Sequence, residues 1–172
     1  MDNQRKRRFA NYFWCRERHA IGDELEWMRI EGLKTLNLPR PIVLITGAFD
    51  ILHVGHMRLL FTARQQAGNG TVICAMNSDD SVTERKGQGR PIMSWPERAA
   101  ALAYMPIDVL VEFDTEKELK KLVALVEPDL QVVGPDWMDK PTTSGLPKGG
   151  VREAGMRTSE IIKRCKKVQN VD

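Results

Sequence analysis

At the centre of the sequence lies the segment Ile45-Thr46-Gly47-Ala48-Phe49-Asp50-Ile51-Leu52-His53-Val54-Gly55-His56. The apolar, β-branched run at 41–45 is typical of a buried strand. After the segment, apolar residues recur at helical spacing, at Met57, Leu59, Leu60 and Ala63. The segment is therefore predicted to be a strand-to-helix turn, with glycines where the backbone must come close to another group.

This turn has the features of an anion site. A helix that starts near Gly55 offers unpaired backbone N–H groups and the positive end of its dipole. His53 and His56 lie three residues apart, so they share a face of the first helical turn. The alternative is a surface loop with two stray histidines. Because the chain has only 3 histidines and this turn holds two of them, we favour a site for polyphosphate.

The rest of the core alternates between predicted strands and helices. Strands are expected at 41–46, 71–76, 107–113 and 130–133, and helices at 55–67, 96–104, 115–125 and 158–167. Capping boxes (Ser94 with Glu97, Thr115 with Glu118) mark two helix starts. This order predicts an α/β fold with a doubly wound, Rossmann-like parallel sheet. The loops at 47–56, 77–90 and 134–158 should then meet at the carboxyl ends of the strands.

The first 40 residues differ from this pattern, so we divide the chain into an N-terminal arm and helix (1–40) and a domain (41–172). Residues 1–22 are basic and aromatic. They are interpreted as a solvated tail whose aromatic side chains pack on the domain or on a second subunit; contact with nucleic acid is the weaker alternative. Asp23 is expected to cap a helix over 23–38.

Composition indicates an ordinary globular protein. The chain has 172 residues, 42% of them hydrophobic and 28% charged, and a formal net charge of +3. No apolar run approaches the length of a membrane span, and the N-terminus does not resemble a secretory signal. The three cysteines are scattered and show no metal-ligand or disulfide spacing. We expect a cytoplasmic protein without a membrane segment.

Further candidate groups lie in the predicted loops. Lys86 and Arg90 belong to a glycine-rich loop, where cations can bind phosphate, although an exposed charged loop is the simpler interpretation. Arg98 is either a phosphate ligand or a surface charge. Thr158 and Ser159 begin the last helix and offer hydroxyl and N–H donors, or cap it only. The segment 141–150 is either an active-site lid or a linker.

Together these residues resemble a known family. Gly-x-Phe-Asp-x-Leu-His-x-Gly-His, over 47–56, is similar to the signature of the cytidylyltransferase-like (HxGH) nucleotidyltransferases. The blocks at 77–82, 86–91, 97–98, 113–114 and 128–129 are similar to the adenylyltransferase domain of ADP-heptose synthase. The block at 134–137 resembles both that domain and glycerol-3-phosphate cytidylyltransferase, and the block at 152–159 resembles the latter. The resemblance covers 41 to about 165.

The resemblance implies a role for each matched residue. The catalytic residues would be His53, His56 and Lys86. The acceptor or base would contact Asp79, Asp136 and Trp137. The resemblance and the phosphate-binding arguments above together give the expected nucleotide-binding set: Gly47, Ala48, Phe49, Asp50, Gly55, Arg90, Arg98, Gly134, Arg152, Thr158 and Ser159. The resemblance also implies Mg²⁺, held mainly by phosphate oxygens and water. No protein ligand is assigned with certainty; Asp50 is either a ligand or orienter of the ion or a structural turn residue.

Three departures from the family pattern bear on the acceptor pocket and on the nucleotide preference. Ala48 replaces the usual Thr or Cys, and Arg157 stands where the family has a Ser. The segment between Trp137 and Arg152 is expected to lack the strand that the family has there.

The expected activity is transfer of a nucleotidyl group from a nucleoside triphosphate to a sugar or polyol phosphate, with release of pyrophosphate. ATP is slightly favoured because the 77–91 block resembles the adenylyl branch. A glycerol-3-phosphate-type cytidylyltransferase is the alternative. A hypothesis from another class is a non-catalytic nucleotide-binding module with a basic arm. A homodimer is a further hypothesis, based on the apolar stripe of the 23–38 helix.

Overall fold

The computed structural model describes residues 12–15, 28–151 and 157–168. In these ranges seven strands form one sheet, in the order β2-β1-β5-β4-β3-β6-β7. The strands are β1 (Tyr12–Cys15), β2 (Met28–Arg29), β3 (Ile42–Gly47), β4 (Thr71–Asn77), β5 (Val109–Phe113), β6 (Leu130–Val133) and β7 (Lys148–Gly150). The helices are α1 (Val54–Ala67), α2 (Asp79–Lys86), α3 (Trp95–Ala103), α4 (Glu116–Val126) and α5 (Thr158–Val168).

The five strands β5, β4, β3, β6 and β7 run parallel, and all of them except β7 were predicted from the sequence. Apolar side chains point alternately to the two faces of the sheet. On β3, Val43 and Ile45 join the core that also contains residues of α1 and α3. Ile42 and Leu44 join the second core, which contains residues of α4. Both faces are therefore covered, which confirms the Rossmann-like α/β fold.

The N-terminal edge of the sheet corrects the helix predicted over 23–38. Within the described residues, Met28–Arg29 is a strand and Ile30–Thr35 is a short 3₁₀ helix. β1 pairs antiparallel with both β2 and β5. The apolar spacing was real, since Leu33 is buried in the core, but Gly32 disfavours a continuous helix and strand pairing satisfies the backbone instead.

Two further elements were missing from the prediction. The loop predicted over 77–90 contains helix α2, whose N-cap Ser78 accepts a hydrogen bond from the Ser81 backbone N–H at 3.1 Å. Strand β7 exists, parallel to β6, although the segment after Trp137 was expected to lack a strand. Gly149 and Gly150 let it lie close to β6 and its surroundings: a Cβ on Gly150 would be 2.7 Å from the Val133 carbonyl oxygen.

The helices of the described residues are too short or too polar to cross a membrane.

Candidate active site

The turn between β3 and α1 is built around a buried carboxylate. Phe49 and Ile51 adopt left-handed backbone angles, with φ of 51° and 53°. Between them, Asp50 accepts hydrogen bonds from the backbone N–H groups of Ile92 and Met93, each at 3.0 Å. The Arg90 Nε donates to the same carboxylate at 2.8 Å. Burial alone would raise the pKa of Asp50, but these three groups outweigh burial and lower it.

His53 caps helix α1 with its ring. Its Nδ1 accepts from the backbone N–H of Gly55 at 3.1 Å and, more weakly, from that of His56 at 3.4 Å. An accepting Nδ1 leaves the proton of the neutral ring on Nε2. Burial lowers the pKa of His53, and the nearby Glu160 opposes this in part. The ring is thus a neutral group whose N–H is at Nε2.

His56 stacks on His53, with the ring centroids 3.8 Å apart. Burial, together with the positive charge that His53 and Lys86 would carry, lowers the pKa of His56 to about 3. Its Nδ1 is buried and has no hydrogen-bond partner among the residues that the structure describes. The pair therefore offers neutral imidazoles at neutral pH, which suits hydrogen bonding to phosphate oxygen more than proton transfer.

These histidines open onto a cleft of about 550 Å³ at the carboxyl ends of the parallel strands. The loops after β3, α2, β6 and β7 converge there, as expected for this fold. Among the described residues, the cleft is lined by His53, Gly55, His56, Arg58, Leu59, Lys86, Arg90, Gly134, Pro135, Asp136, Val151, Arg157, Thr158 and Ser159. Four of them are Lys or Arg and one is a carboxylate, so the cleft is suited to a polyanion.

Lys86 and Arg90 enter the cleft from the end of α2 and the loop behind it. Burial, followed by the charges of Arg90 and Arg85, lowers the pKa of Lys86, while Asp50 opposes the shift. Arg90 is fixed by its ion pair with Asp50, with 2.6 Å between Nη2 and Oδ2. A polyphosphate would relieve the repulsion between these cations and raise the pKa of Lys86.

The N-terminus of α5 forms the opposite part of the lining. The hydroxyl of Thr158 donates to the Asp50 carbonyl at 2.8 Å, which ties the last helix to the central turn. Ser159 is exposed at the same helix end. Arg157 precedes the helix, and its guanidinium donates to Asp136 at 2.6 Å.

Several predicted site residues lie beneath the cleft rather than on its surface. The structure corrects the phosphate-binding role of Arg98: its side chain is fully buried and donates to the Ala48 carbonyl and to Asp79. Asp79 also accepts from the Trp95 backbone N–H at 3.0 Å, so it is engaged in holding α3. Neither residue lines the cleft.

Other predicted site residues, from the turn and from the segment after β6, also lie outside the lining of the cleft. Gly47, Ala48, Phe49 and Asp50 form the turn without lining the cleft. A Cβ on Gly47 would lie 3.1 Å from the Phe49 ring, so this glycine serves close packing. Trp137 is exposed outside the cleft, with the Lys140 ammonium 4.5 Å from its ring centroid. Arg152 lies outside the described residues.

The structure also speaks against Asp50 as a metal ligand. Its side chain is fully buried, does not line the cleft, and is engaged by Arg90 and by two backbone N–H groups. No cluster of three or more His, Cys, Asp or Glu able to hold a metal occurs in the part of the chain that the structure describes.

Of the lining residues that the structure describes, five were not predicted from the sequence: Arg58, Leu59, Pro135, Val151 and Arg157. Arg58 follows His56 by two residues in the first turns of α1, so its position in the helix was an available signal. Arg157 was noticed only as a departure from the family pattern. A cation at the start of a helix beside Thr158 and Ser159 is a sequence signal for phosphate binding.

Comparison with known proteins agrees with this geometry. The family model described as cytidylyltransferase-like matches residues 44–170. The chain is 44% identical over 131 residues to the bifunctional protein HldE of Psychromonas ingrahamii, covering 71% of this chain and 27% of that protein. It is 36% identical over 138 residues to HldE of Campylobacter concisus, covering 77% and 29%. The chain thus spans less than a third of the length of these relatives.

Solved structures show the same fold at low sequence identity. Pantothenate synthetase from Thermus thermophilus matches with a TM-score of 0.56 and 15% identity, covering 80% of this chain and 68% of that one. A bifunctional NMN adenylyltransferase/ADP ribose pyrophosphatase from Francisella tularensis matches with a TM-score of 0.53 and 16% identity, covering 74% and 42%. The family model spans well over half of the sequence and includes the histidine turn and both sides of the cleft. The chain therefore belongs to the cytidylyltransferase-like family and carries a nucleotidyltransferase domain.

Proposed function

We propose that the protein transfers a nucleotidyl group from a nucleoside triphosphate, with ATP preferred, to the phosphate of a sugar or polyol phosphate. A phosphate oxygen of the acceptor forms a bond to the α-phosphorus. The bond between the α-phosphorus and the oxygen that bridges to the β-phosphorus breaks, and that oxygen leaves with the electron pair as part of pyrophosphate. No residue of the chain becomes covalently attached.

One observation carries this proposal: the two stacked histidines, Lys86 and the start of α5 meet in one cationic cleft. The His53 Nε2–H can donate to a phosphate oxygen, and Lys86 supplies positive charge beside it. The N-termini of α1 and α5 add partial positive charge from two directions. Such a site accelerates phosphoryl transfer by positioning and by stabilising charge in the transition state.

The preference for ATP rests on resemblance alone. The 77–91 block is similar to the adenylyl branch, and the relatives reported above are HldE proteins. The choice of a sugar phosphate as the acceptor also rests on resemblance alone. Location in the cytoplasm stays a prediction from the sequence.

Magnesium, in this proposal, arrives as part of the substrate. Among the described lining residues the carboxylate is Asp136, which pairs with Arg157, and Asp50 is engaged beneath the cleft. These donors do not form a resident Mg²⁺ site, so the ion would be bound by triphosphate oxygens and water, as Mg²⁺ usually is with nucleotides.

Pyrophosphate release tests the proposal. The purified protein is incubated with each of the four nucleoside triphosphates, Mg²⁺ and a panel of sugar and polyol phosphates. We expect one nucleotide and one acceptor to give turnover, and His56→Ala and Lys86→Met to reduce it at least about 100-fold, in line with loss of a donor to developing charge. Lys117→Met, which removes an exposed cation on α4, is the matched control and should retain full activity.

Two outcomes would contradict the proposal. If no pair of substrates gives pyrophosphate while a nucleotide still binds, the domain is the non-catalytic nucleotide-binding module. If turnover occurs and is unchanged in His56→Ala and Lys86→Met, the cleft is not the active site.

A further inference from the structure

The ion pair between Arg157 and Asp136 lies within the cleft itself. The two residues are 21 positions apart and join the loop after β6 to the start of α5. Both line the cleft with His53, His56 and Lys86. Their contact is thus made between two residues that line the cleft, beside the start of α5.

This pair contributes little to stability. The Arg157 and Asp136 side chains are 56% and 58% exposed. Exposed ion pairs gain little free energy, because water screens the charges and two long side chains lose freedom. The backbone at Arg157 is held separately, since its N–H lies 3.4 Å from the Glu160 carboxylate. The guanidinium can therefore change partner while the helix start keeps its place.

The chemistry of Asp136 is that of a substitute for phosphate. A carboxylate and a phosphate present similar oxygen geometry to a guanidinium, and Arg binds both with charge-assisted hydrogen bonds. Asp136 is also the carboxylate among the described lining residues. When polyphosphate enters the cleft, the negative charge of Asp136 would repel it, whereas the positive charge of Arg157 would attract it.

We propose that Arg157 is a phosphate-binding residue, which Asp136 holds in the free protein and which exchanges to a substrate phosphate on binding. This inference rests on the proposed function and adds a specificity-determining pair to it. Asp136 competes with the substrate for Arg157, so ligands with a dianionic or more highly charged phosphate are favoured over weaker anions. The phosphate that Arg157 takes is either the triphosphate of the nucleotide or the phosphate of the acceptor.

The test compares Arg157→Gln and Asp136→Asn with wild type. Dissociation constants are measured by calorimetry for inorganic tripolyphosphate, ATP with Mg²⁺, and ribose 5-phosphate. We expect Arg157→Gln to weaken binding of the relevant probe about tenfold or more, the loss typical of a charge-assisted hydrogen bond. Asp136→Asn should tighten it, because the competitor and its charge are removed. Arg164→Gln, an exposed arginine on α5 outside the cleft, should leave all three constants unchanged.

The three probes distinguish whether the phosphate that Arg157 binds belongs to the nucleotide or to the acceptor. Loss with tripolyphosphate and ATP assigns Arg157 to the nucleotide, and loss with ribose 5-phosphate alone assigns it to the acceptor. A merely structural pair that holds the two loops together predicts a different result: both substitutions would weaken binding in the same direction. That result overturns the inference.

The inference and the proposed function fail separately. If pyrophosphate release is present but both substitutions leave every constant unchanged, Arg157 is not a phosphate ligand and the enzyme assignment stands. If the substitutions act with opposite signs and no substrate pair gives turnover, the phosphate site stands without the proposed reaction. If wild type binds none of the three probes, both are wrong.

Discussion

At the scale of single residues, the histidine turn makes stability depend on pH. The folded protein keeps His56 neutral, with its pKa lowered from 6.5 to about 3 by burial. In the unfolded chain the His56 ring has its ordinary pKa of 6.5 and binds a proton below it. Falling pH therefore favours unfolding until the pKa of the folded state is reached. The contribution of His56 is thus complete above pH 6.5 and is progressively lost below it.

We therefore expect wild type to lose about 1–2 kcal/mol more stability than His56→Gln when pH falls from 6.5 to 5. Urea unfolding at several pH values measures this difference in slope. Equal slopes for the two proteins would mean that His56 is not shielded from water. Saturating tripolyphosphate should reduce the difference, because bound phosphate favours the protonated ring.

The substitution Gly134→Ala distinguishes an effect on folding from an effect on nucleotide binding. A Cβ at this position would meet nothing within 4 Å, and φ of −75° suits any residue. We expect Gly134→Ala to leave the melting temperature within about 1 °C, a shift equivalent to a few tenths of a kcal/mol, and to weaken nucleotide binding if the ligand lies against this backbone.

Gly70→Ala is the contrasting variant for the same measurements. Its Cβ would lie 2.1 Å from the Pro41 carbonyl oxygen, so it should destabilise the fold by about 1–3 kcal/mol. If Gly134→Ala binds nucleotide with wild-type affinity, the ligand does not lie against the backbone of Gly134.

At the scale of elements, helix α5 depends on the central turn for its position. Its first residue is buried and donates from its hydroxyl to the Asp50 carbonyl. The same turn holds Arg90 through the Asp50 carboxylate. One short stretch around Asp50 thus places two separate sources of positive charge beside the histidines.

Thr158→Val removes that hydroxyl and retains the shape of the side chain. We expect the free energy of unfolding to fall by about 1 kcal/mol. We expect the free energy of ATP binding to fall by a larger fraction of its wild-type value, because the helix N-terminus is no longer held against the cleft. Thermal unfolding with and without ATP measures both effects. Thr158→Ser keeps the hydroxyl and should behave like wild type; ATP affinity in Thr158→Val equal to that of wild type would contradict this role.

At the scale of the whole molecule, the N-terminal strands and the cleft belong to different parts of the sheet. β1 covers the edge of β5, whereas the cleft is lined by residues after β3, α2, β6 and β7. No described lining residue comes from the first 40 positions. The described N-terminal strands therefore support the sheet and do not contribute to the site.

Deletion of residues 1–29 removes β1 and β2 and exposes the edge of a buried apolar strand. We expect a lower melting temperature and concentration-dependent association, since an open apolar edge pairs with other chains. Nucleotide affinity of the monomeric fraction should stay within about threefold of wild type, a small free-energy change. Deletion of 1–11 keeps both strands and serves as the control; loss of binding in that variant would bring the basic arm into the site.

Much of this molecule is determined locally. The strands from β3 to β6, the helices α1, α3, α4 and α5, and the histidine turn follow from apolar periodicity, β-branched runs and capping residues, which act over a few neighbours. The two glycine-containing segments that sequence reasoning assigned wrongly, 28–38 and 148–150, have weak local preferences, and pairing with distant strands decides them.

The sequence by itself determined the alternation of strands and helices from β3 to β6 and predicted the site at the His53–His56 turn, because both depend on short-range patterns. Only the tertiary structure distinguished Arg90, which lines the cleft, from Arg98, which is buried against Asp79. It also brought Arg157 to Asp136. The physical reason is that the environment of a charged side chain is set by the groups packed around it, and here those groups come from remote parts of the chain.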